Sequence, residues 1–546
     1  MLEEIENIDP SKLTDNVAVQ NLLITCMNLI ENQSSIIAQQ AKEIQELKDE
    51  LHRLKGEHGN LPPRSKRKIH QGQKPKLKAR PSTKSKKSKK AKLVIDQVID
   101  CEIDKNTLPP DALLQRYDKL VQQDILFKRN NTLFRVPVYY SKSEKRTYRG
   151  TLPPTYHGQF GKQLESFIQL FHHFCDVTQG RLNALLKNIG IEISTGKICT
   201  TLLSNREQME QEAQQILFNG LSHIPYAQMD GTKSTEAGIG KATQIICTEY
   251  YTVYQTMSSK CRAHVIGALQ AKRDNDVPLL YDSQAIIDLA KSKVPKKDQR
   301  LLAQLLIVDK VYTIAEFEEL LKDKANHLLL KRSHSDVLAI LATRYYLTQT
   351  QFPIVETLLT DAGHEYANIA LNHALCWIHE DRHFKKMLPK IRVHQQILER
   401  FRCQLWMYYK KLLNFKELSK EQQREQRIHL IQEFDKIFTQ KTNYHNLNKQ
   451  IEKTLRRKEK LLQVLDLPSL PLHNNQAELA VRRKVRKRDI SIHTMSFQGT
   501  TAQDAFMSVV ETAAKLGVNA LDYLYDRLSG NYSMTPLADL ICIKTN

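Results

Sequence analysis

Several familiar signals are missing from this sequence, and each absence excludes a class of protein. None of the nine cysteines forms a Cys-x-x-Cys pair, which argues against a disulfide framework or a zinc ribbon and favours a reducing compartment. No stretch approaches the roughly 18 consecutive apolar residues of a membrane-spanning helix, and the acidic start lacks the basic and then apolar pattern of a signal peptide. The two tryptophans, Trp377 and Trp406, give no clear signal for base stacking. We expect a soluble chain that stays in its compartment of synthesis.

Acidic residues are also in deficit. The chain of 546 residues has 60 Asp and Glu against 81 Lys and Arg, a formal charge of +21. Such an excess repels itself unless a polyanion neutralises it, so DNA is the first partner to consider. A hydrophobic fraction of 41% can fill real cores, and the length allows roughly three or four domains.

Apolar residues recur every seven positions near the N-terminus. This spacing keeps one stripe of a helix facing a partner helix, so it predicts a short coiled coil within residues 1–60 and a homo-oligomer formed through residues 20–55. The alternative is a helix packed on its own domain. The repeat positions are Leu23, Ile30, Ile37, Ile44 and Leu51, with Cys26, Gln33, Gln40, Leu47 and Leu54 three residues after each.

A basic run fills residues 61–95. Fourteen Lys or Arg and no acid lie between Arg64 and Lys92. Charge repulsion predicts a disordered arm there, and a cationic arm beside DNA gains free energy from counterion release. A solvated linker is the alternative. The predicted DNA contacts include Lys66, Arg67, Lys68, Lys86, Lys87, Lys89 and Lys90.

Residues 96–222 are predicted to form a helical, helix-turn-helix-like DNA-binding region. Helical spacing from Leu182 to Ile189 is followed by Gly190, which suits a left-handed turn, and by Ser194, a natural N-cap for a second helix. Lys197 on that second helix is a candidate DNA contact. Any helical hairpin has a similar pattern, so the motif alone is weak.

Three acidic residues follow strand or helix signals further along the chain. Asp230 and Asp361 each end a predicted strand, and Glu478 lies one turn into a helix that Asn474 can cap. Carboxylates that converge from two strands and a helix could hold a pair of Mg²⁺ ions for phosphodiester chemistry. Each acid alone would equally fit a helix cap or the surface. The predicted strands of one sheet are residues 224–230, 244–257 and 353–361, interrupted by helical insertions at about 270–350 and 385–467.

The sequence around these acids resembles the insertion-sequence-66-type transposases over about residues 145–530. Upstream, the family's Thr-Asp and Cys-Trp-x-His segments are similar to residues 360–384, in which Asp361, Cys376, Trp377, His379 and Phe384 match. The segments 229–232 and 190–194 resemble two further family motifs. The closing segment of the family matches at Asn474, Asn475, Ala477, Glu478, Arg482, Gly499, Ser508, Glu511, Thr512, Ala513, Gly517, Tyr523 and Leu524.

The resemblance implies a DNA transposase of the Asp-Asp-Glu class from a bacterial mobile element, acting in the cytosol. Its expected fold is a helix-rich α/β protein with a ribonuclease-H-like core at residues 223–530 and a C-terminal tail at 531–546. Asp230, Asp361 and Glu478 would be catalytic and would bind two Mg²⁺ ions, with Mn²⁺ as an alternative. Element ends, target DNA and accessory proteins of the element would be its partners. The rival interpretation is an inactive or domesticated DNA-binding protein.

The chain departs from the family pattern in three respects. Gly231 replaces the Glu of Asp-Glu-Thr, Leu479 replaces the Arg of Glu-Arg, and zinc-finger-like cysteines near the N-terminus are missing. The long interval from Asp230 to Asp361 makes Asp282 a competitor for the second acid. We favour Asp361 because Cys-x-x-His follows it, as in many transposases of this class.

Two neighbouring groups complete the prediction. His373, Cys376, His379 and His383 rotate around one helix and cannot all face one ion, so a zinc site is the less favoured alternative. Cys376 and His379 are instead predicted as buried, hydrogen-bonded struts behind Asp361, with Asn474 and Asn475 as further structural support. A run of six basic residues then follows Glu478, and we predict that it contacts the DNA backbone rather than forming a merely solvated face. These residues are Arg482, Arg483, Lys484, Arg486, Lys487 and Arg488.

Overall fold

The protein is represented by a computed structural model. It describes residues 9–54 except 14, residues 98, 99 and 120, and residues 128–545 except 155, 157 and 326–330. No helix within these ranges is both long enough and apolar enough to cross a membrane. The predicted basic arm, with its seven candidate DNA contacts, lies outside the described residues.

Helices make up most of the described chain. The first elements are α1 (Pro10–Leu13), α2 (Val17–Leu54), β1 (Val138–Ser141), β2 (Arg146–Arg149), α3 (Lys162–His173), α4 (Gln179–Asn188), α5 (Thr195–Leu203) and α6 (Arg206–His223). The middle of the chain contains β3 (Tyr226–Glu236), β4 (Ile239–Cys247), β5 (Thr252–Met257), α7 (Arg262–Leu269), β6 (Pro278–Tyr281), α8 (Ser283–Lys291), α9 (Lys296–Leu305), β7 (Lys310–Thr313), α10 (Ile314–Ala325), α11 (Lys331–Thr348), β8 (Thr357–Thr360) and β9 (Asn372–Leu375). The last elements are α12 (Trp377–Lys385), α13 (Arg392–Phe415), α14 (Lys420–Phe438), α15 (His445–Leu455), α16 (Lys458–Leu461), α17 (Asn475–Ser491), α18 (Phe497–Leu516), α19 (Ala520–Ser529) and α20 (Leu537–Thr545).

A five-stranded mixed sheet forms the centre, with strand order β5-β4-β3-β8-β9. The first three strands in sequence are antiparallel neighbours, and β8 and β9 lie parallel to β3. Residues 244–257, predicted as one strand, form parts of β4 and β5, because the chain turns where the Thr248 amide donates to the Tyr251 carbonyl. The sequence also gave no signal for β9. The prediction of a helix-rich α/β protein is confirmed.

The edge strand β5 is covered by helix α18. The backbone amides of Thr252 and Tyr254 donate to the hydroxyls of Thr512 and Ser508, at 3.1 and 2.9 Å. The amide of Thr256 donates to the Asp504 carboxylate at 2.7 Å. These bonds pair donors that an edge strand otherwise leaves open, and they hold α18 against the sheet.

A buried ion pair extends this contact to helix α17. The Lys484 ammonium lies 3.0 Å from the Asp504 carboxylate, and both side chains are almost fully buried. Arg273 adds a second cation at 3.2 Å. Burial alone would raise the pKa of Asp504, but these cations and its hydrogen bonds hold the pKa below its ordinary value.

The long helical insertion has a core of its own. Helices α12 to α16 surround Trp377, which contacts the aromatic rings of Tyr408, Phe434 and Phe438. The Trp377 ring nitrogen donates to the Leu461 carbonyl and its amide donates to the Leu472 carbonyl, each at 2.9 Å. Residues 385–467, predicted as a helical insertion, are mainly helical. The predicted insertion at 270–350 is also mainly helical but includes the β6-β7 pair.

The contacts divide the chain into two units, residues 1–34 with 128–546, and residues 35–127. In the first unit α2 packs on its own chain: Met27 is 4% exposed, and the Glu31 carboxylate accepts the amides of Lys390 and Ile391 at 2.8 Å. This part of α2 therefore packs as a helix on its own chain, which is the alternative to a coiled coil. In the second unit Ile37 and Ile44 are 62% and 52% exposed.

Helices α4 and α5 have the local geometry expected of the helix-turn-helix-like motif. Gly190 has a positive φ of 81°, and the Ser194 hydroxyl accepts the Lys197 amide at 3.1 Å as an N-cap. The apolar faces of α3, α4 and α5 bury Ile168, Leu182 and other residues in a separate small core. The motif is thus a stable hairpin, and its contact with DNA stays a prediction.

The C-terminal segment, predicted as a tail, contributes to the main core. Leu537 and Ile541 of α20 are fully buried beside α6. The prediction of a tail is wrong, because apolar residues at this helical spacing have a face to bury.

We expect Asp504→Asn to lower the free energy of unfolding by about 3–5 kcal/mol, because it leaves the Lys484 ammonium buried without its anion. Since the folded pKa of Asp504 is depressed, this loss should be present at neutral pH and shrink as pH falls through the carboxyl range. Urea unfolding followed by circular dichroism measures both. Asp489→Asn, at an exposed position of α17, is the control and should be nearly neutral. Equal stability of the two variants would contradict a structural role for the pair.

Candidate catalytic site

Two of the three predicted acids are neighbours on adjacent parallel strands. Gln228 of β3 is paired with Leu359 of β8, and Asp230 and Asp361 each follow two residues later. Continued by two residues, this register makes the two positions neighbours, with Asp361 directly after the end of β8. The Asp361 carboxylate accepts the amide of Gly363 at 3.0 Å, and the Asp230 carboxylate accepts that of Gly231 at 2.7 Å.

Glu478 reaches the same edge from helix α17. Asn474 holds the start of this helix, since its side-chain amide donates to the Met229 carbonyl at 2.9 Å and its backbone amide donates to the Cys376 sulfur at 3.3 Å. Asn474 occupies the predicted N-cap position, but its side chain makes no capping bond and instead ties the helix to β3. Glu478 therefore lies one turn beyond an anchor on the strand that carries Asp230.

Asp230 is affected by the charges of the other two acids. Burial, together with the charges of Asp361 and Glu478, raises the pKa of Asp230 to about 6, against the opposing effects of the Gly231 hydrogen bond and the Lys260 charge. The Lys260 ammonium donates to the Gly231 carbonyl at 2.6 Å, directly beside Asp230. A cation bound between the carboxylates would relieve this repulsion.

Glu478 is engaged by a cationic side chain. Arg382 of α12 donates to both carboxylate oxygens, at 3.0 and 3.2 Å, and to the His379 Nε2 atom at 2.7 Å. The His379 Nδ1 atom lies 3.7 Å from Glu478. Burial and the Arg382 charge lower the pKa of His379, against the opposing charges of Glu478 and Asp361.

The predicted supporting residues have different outcomes. Cys376 is buried at the start of α12 and accepts the Asn474 amide, as a strut would. His379 is a quarter exposed beside Glu478, so the prediction of a buried strut is wrong for this residue. Asn475 is exposed. His379 lies there because position i+3 from Cys376 turns it toward α17.

The competitor Asp282 has a structural role elsewhere. Its carboxylate caps helix α8 by accepting the Ala285 amide at 2.8 Å, and it pairs with Arg344 at 2.6 Å. Both carboxylate oxygens of Asp282 are thereby occupied by these partners. Asp361 is the acid that the parallel register puts next to Asp230.

The basic run on α17 is only partly available to DNA. Lys484 and Lys487 are buried, the first against Asp504 and the second donating to the His172 carbonyl, so the prediction of DNA contact is wrong for them. Burial lowers the pKa of Lys487 to about 8. Arg483 bonds Glu511 at 2.8 Å, and Arg488 donates to the Lys233 carbonyl. The exposed members are Arg482 and Arg486.

Two cations beside the acids were missed from the sequence. Lys260 had no signal, since it follows a strand far from either motif. Arg382 had a weak signal, because it lies one turn after His379 on a helix that begins at a recognised motif. Lys197, in contrast, was predicted as a DNA contact and is half-buried with its ammonium 5.8 Å from the Phe160 ring centre.

Comparison with known proteins identifies the family. Residues 331–502, which include Asp361 and Glu478, match the model described as Transposase IS66 family. A protein of Sinorhizobium fredii (strain NBRC 101917 / NGR234), named Uncharacterized protein y4jO, is 30% identical over 339 residues, or 60% of this chain and 100% of that protein. The chain belongs to the IS66 transposase family. No solved structure matches it.

Membership of the IS66 transposase family confirms the resemblance inferred from the sequence. It makes the protein a transposase-type nucleic-acid enzyme whose partner is DNA. Transposases of the Asp-Asp-Glu class generally use divalent metal ions. The matched range covers the second and third acids of this IS66 transposase, and Asp230 lies upstream of it.

We expect Asp230→Asn to stabilise the metal-free protein by up to about 3 kcal/mol at pH 7.5. With a folded pKa of about 6, above its usual value near 3.8, Asp230 retains its proton more strongly in the folded than in the unfolded state. Wild-type stability should therefore fall as pH rises through this interval, and the variant should escape that loss. Urea unfolding in the presence of a chelator at about pH 4 and 7.5 measures the difference. A variant less stable than wild type at the higher pH would contradict the raised pKa, and Asp489→Asn is the matched control.

Proposed function

We propose that this IS66 transposase cuts and joins DNA strands with a metal-dependent Asp-Asp-Glu site formed by Asp230, Asp361 and Glu478. The observation that carries the proposal is the register of β3 and β8, which makes two acids separated by 131 residues adjacent. The charges of Asp361 and Glu478 contribute to the raised pKa of Asp230, which supports the same grouping.

The donor set fits hard divalent cations. Mg²⁺ prefers oxygen ligands, and three carboxylates supply them on two strands and one helix. A raised pKa, as found for Asp230, is expected for a buried carboxylate that lies near other carboxylates when no cation is bound. Two ions held there would supply Lewis-acid activation of the attacking oxygen and stabilise the leaving one, with Mg²⁺ or Mn²⁺ as the ion.

The order of the sheet supports a ribonuclease-H-like core for residues 223–530. Three antiparallel strands followed by two parallel ones, with acids on the central strand and its parallel neighbour, agree with that fold. Helix α17 completes the site from the far end of the long insertion. The core would also include α6 and α20, which pack against each other.

The surrounding cations have distinct roles in this proposal. Lys260 stays beside Asp230 and favours its ionised form. Arg382 forms an ion pair with Glu478 in the metal-free protein. This ion pair must break before Glu478 can bind a metal ion. Arg482 and Arg486, one and two turns after Glu478 on α17, would hold the DNA backbone near the site.

We expect Asp361→Asn to reduce metal-dependent nicking of DNA carrying the element's ends by more than about a hundredfold while DNA binding is kept, since even second-shell changes at metal sites cost 10–100-fold. Asp282→Asn is the matched control. It should keep nicking activity but lose about 1–3 kcal/mol of stability with its cap and its Arg344 pair. Loss of nicking only in the Asp282 variant would overturn the assignment. DNA binding by a wild-type protein that never nicks would favour the inactive, domesticated alternative.

Exchanging both exposed arginines, Arg482→Gln with Arg486→Gln, should weaken DNA binding and reduce the slope of log affinity against log salt by nearly two units. Fluorescence anisotropy at several salt concentrations measures the slope. Lys410→Gln with Lys449→Gln removes the same charge from exposed positions on the helical insertion and should leave the slope unchanged. Equal slopes for both double variants would contradict a DNA surface on α17. The arm at 61–95 remains a second proposed contact.

We also propose that the part of α2 beyond Ser34 pairs subunits, because Ile37 and Ile44 lie one heptad apart and are exposed. Ile37→Lys with Ile44→Lys should then lower the mass measured by light scattering, since two ammonium groups would enter each apolar seam. Leu29→Lys, at an exposed position off the seam, is the control. An unchanged mass in the double variant would contradict pairing through this helix.

A further inference from the structure

Three chemically different ligand atoms meet at the starts of helices α12 and α17. The Cys376 sulfur, a ring nitrogen of His379 and a carboxylate oxygen of Glu478 all lie within 4.8 Å of one another. We propose that these residues form a second metal site, selective for a thiophilic divalent ion of the Zn²⁺ type. Its use of Glu478 as a shared ligand rests on the proposed function; its ability to bind the ion does not.

The ligand chemistry separates this site from the carboxylate site. Zn²⁺ binds thiolate, imidazole and carboxylate in four-coordinate sites, and three protein ligands leave one position open. Mg²⁺ instead takes oxygen ligands and has little affinity for sulfur. The two kinds of ion would therefore compete for Glu478 and differ in their other ligands.

An orphaned polar atom points to this ion. The Nδ1 atom of His379 is buried and has no hydrogen-bond partner among the described residues, although Glu478 lies 3.7 Å away. Buried polar atoms without a partner are rare, because leaving one unpaired costs free energy. A metal ion between His379, Glu478 and Cys376 would satisfy this atom.

Cys376 is the N-cap residue of α12, and its sulfur accepts the Asn474 amide at 3.3 Å. Burial raises the pKa of the Cys376 thiol above its ordinary value, against the lowering effect of nearby backbone amides, and a bound cation would favour the thiolate. Amides at a helix N-terminus stabilise negative charge on a thiolate. On binding, the thiol proton would leave to solvent and the sulfur would bond the metal.

Arg382 occupies two of the three ligands of this site when no metal ion is bound. In the metal-free protein its guanidinium contacts both Glu478 and His379, and its side chain is 44% exposed. An incoming ion must displace this cation, and solvent is accessible to receive it. A bound Zn²⁺ would then withdraw Glu478 from Asp230 and Asp361 and inhibit strand cleavage.

The test uses Co²⁺ as the probe with the full-length, reduced, metal-free protein. A thiolate-to-Co²⁺ charge-transfer band should grow in the near ultraviolet, saturate at one ion per chain and disappear on addition of Zn²⁺. Cys376→Ser should abolish the band. Cys403→Ser, which removes an exposed thiol of the same insertion, should retain it. No band in the wild type, or a band that survives in Cys376→Ser, would overturn the proposal.

Two further variants keep the test decisive if Cys376→Ser does not fold. His379→Gln should weaken Co²⁺ binding at least about tenfold, and Arg382→Gln should tighten it by a similar factor, within the range typical of ligand-shell changes. Unchanged affinity in His379→Gln would overturn the site. Asp361→Asn should lose Mg²⁺-dependent nicking yet keep the cobalt band, so failure of the catalytic proposal and failure of this one are distinguishable.

Discussion

The interaction on which the rest of the structure depends is the contact between helix α18 and edge strand β5. Asp504, Ser508 and Thr512 follow one another at four-residue intervals and accept amides from alternate residues of the strand. Four helical residues rise about 6 Å and two strand residues about 6.7 Å, so the two series stay in phase over three pairs. Without these hydrogen bonds, β5 would bury unpaired backbone donors beneath a helix.

Asp504 also links this contact to helix α17, because its buried ion pair with Lys484 ties α17 to the same edge of the sheet. Helix α17 is thus fixed at Lys484 and, through Asn474, at β3, and Glu478 lies between these two anchors.

The sequence was informative where chemistry and local pattern agree. Strand-like residues before Asp230 and Asp361 predicted two acids at strand ends, which is correct for Asp361 but wrong for Asp230, because β3 continues to Glu236. The parallel register explains how the two positions become neighbours. Gly190 and Ser194 predicted a turn and a cap because each position has one suitable backbone role. Recognition of the family likewise depended on short segments around Asp361 and Glu478, and the family match covers both.

The sequence was misleading where long-range packing decides the outcome. The basic run after Glu478 resembled an open surface, yet Lys484 and Lys487 continue the buried face begun by Ala477 and Ala480, at helical spacings of three and four. This spacing was the feature of the sequence that could have predicted the burial of both lysines. Arg382 could not be assigned to Glu478, since 96 residues separate them and only the folded insertion brings them together. The N-terminal heptads gave no means of predicting that Glu31 accepts backbone amides of the chain's own insertion.

The bonds of Trp377 have a consequence for how this protein can diverge. Its amide and ring nitrogen bond the chain near the far end of the insertion, so the two ends of an excursion of more than 80 residues are joined at its base. Because these bonds join the two ends of the insertion, changes in the helices beyond them need not move the residues at its base. Helices α13 to α15, which have an aromatic core of their own, could lengthen or shrink between relatives without moving Glu478 relative to the sheet, provided that the contacts with α2 are kept.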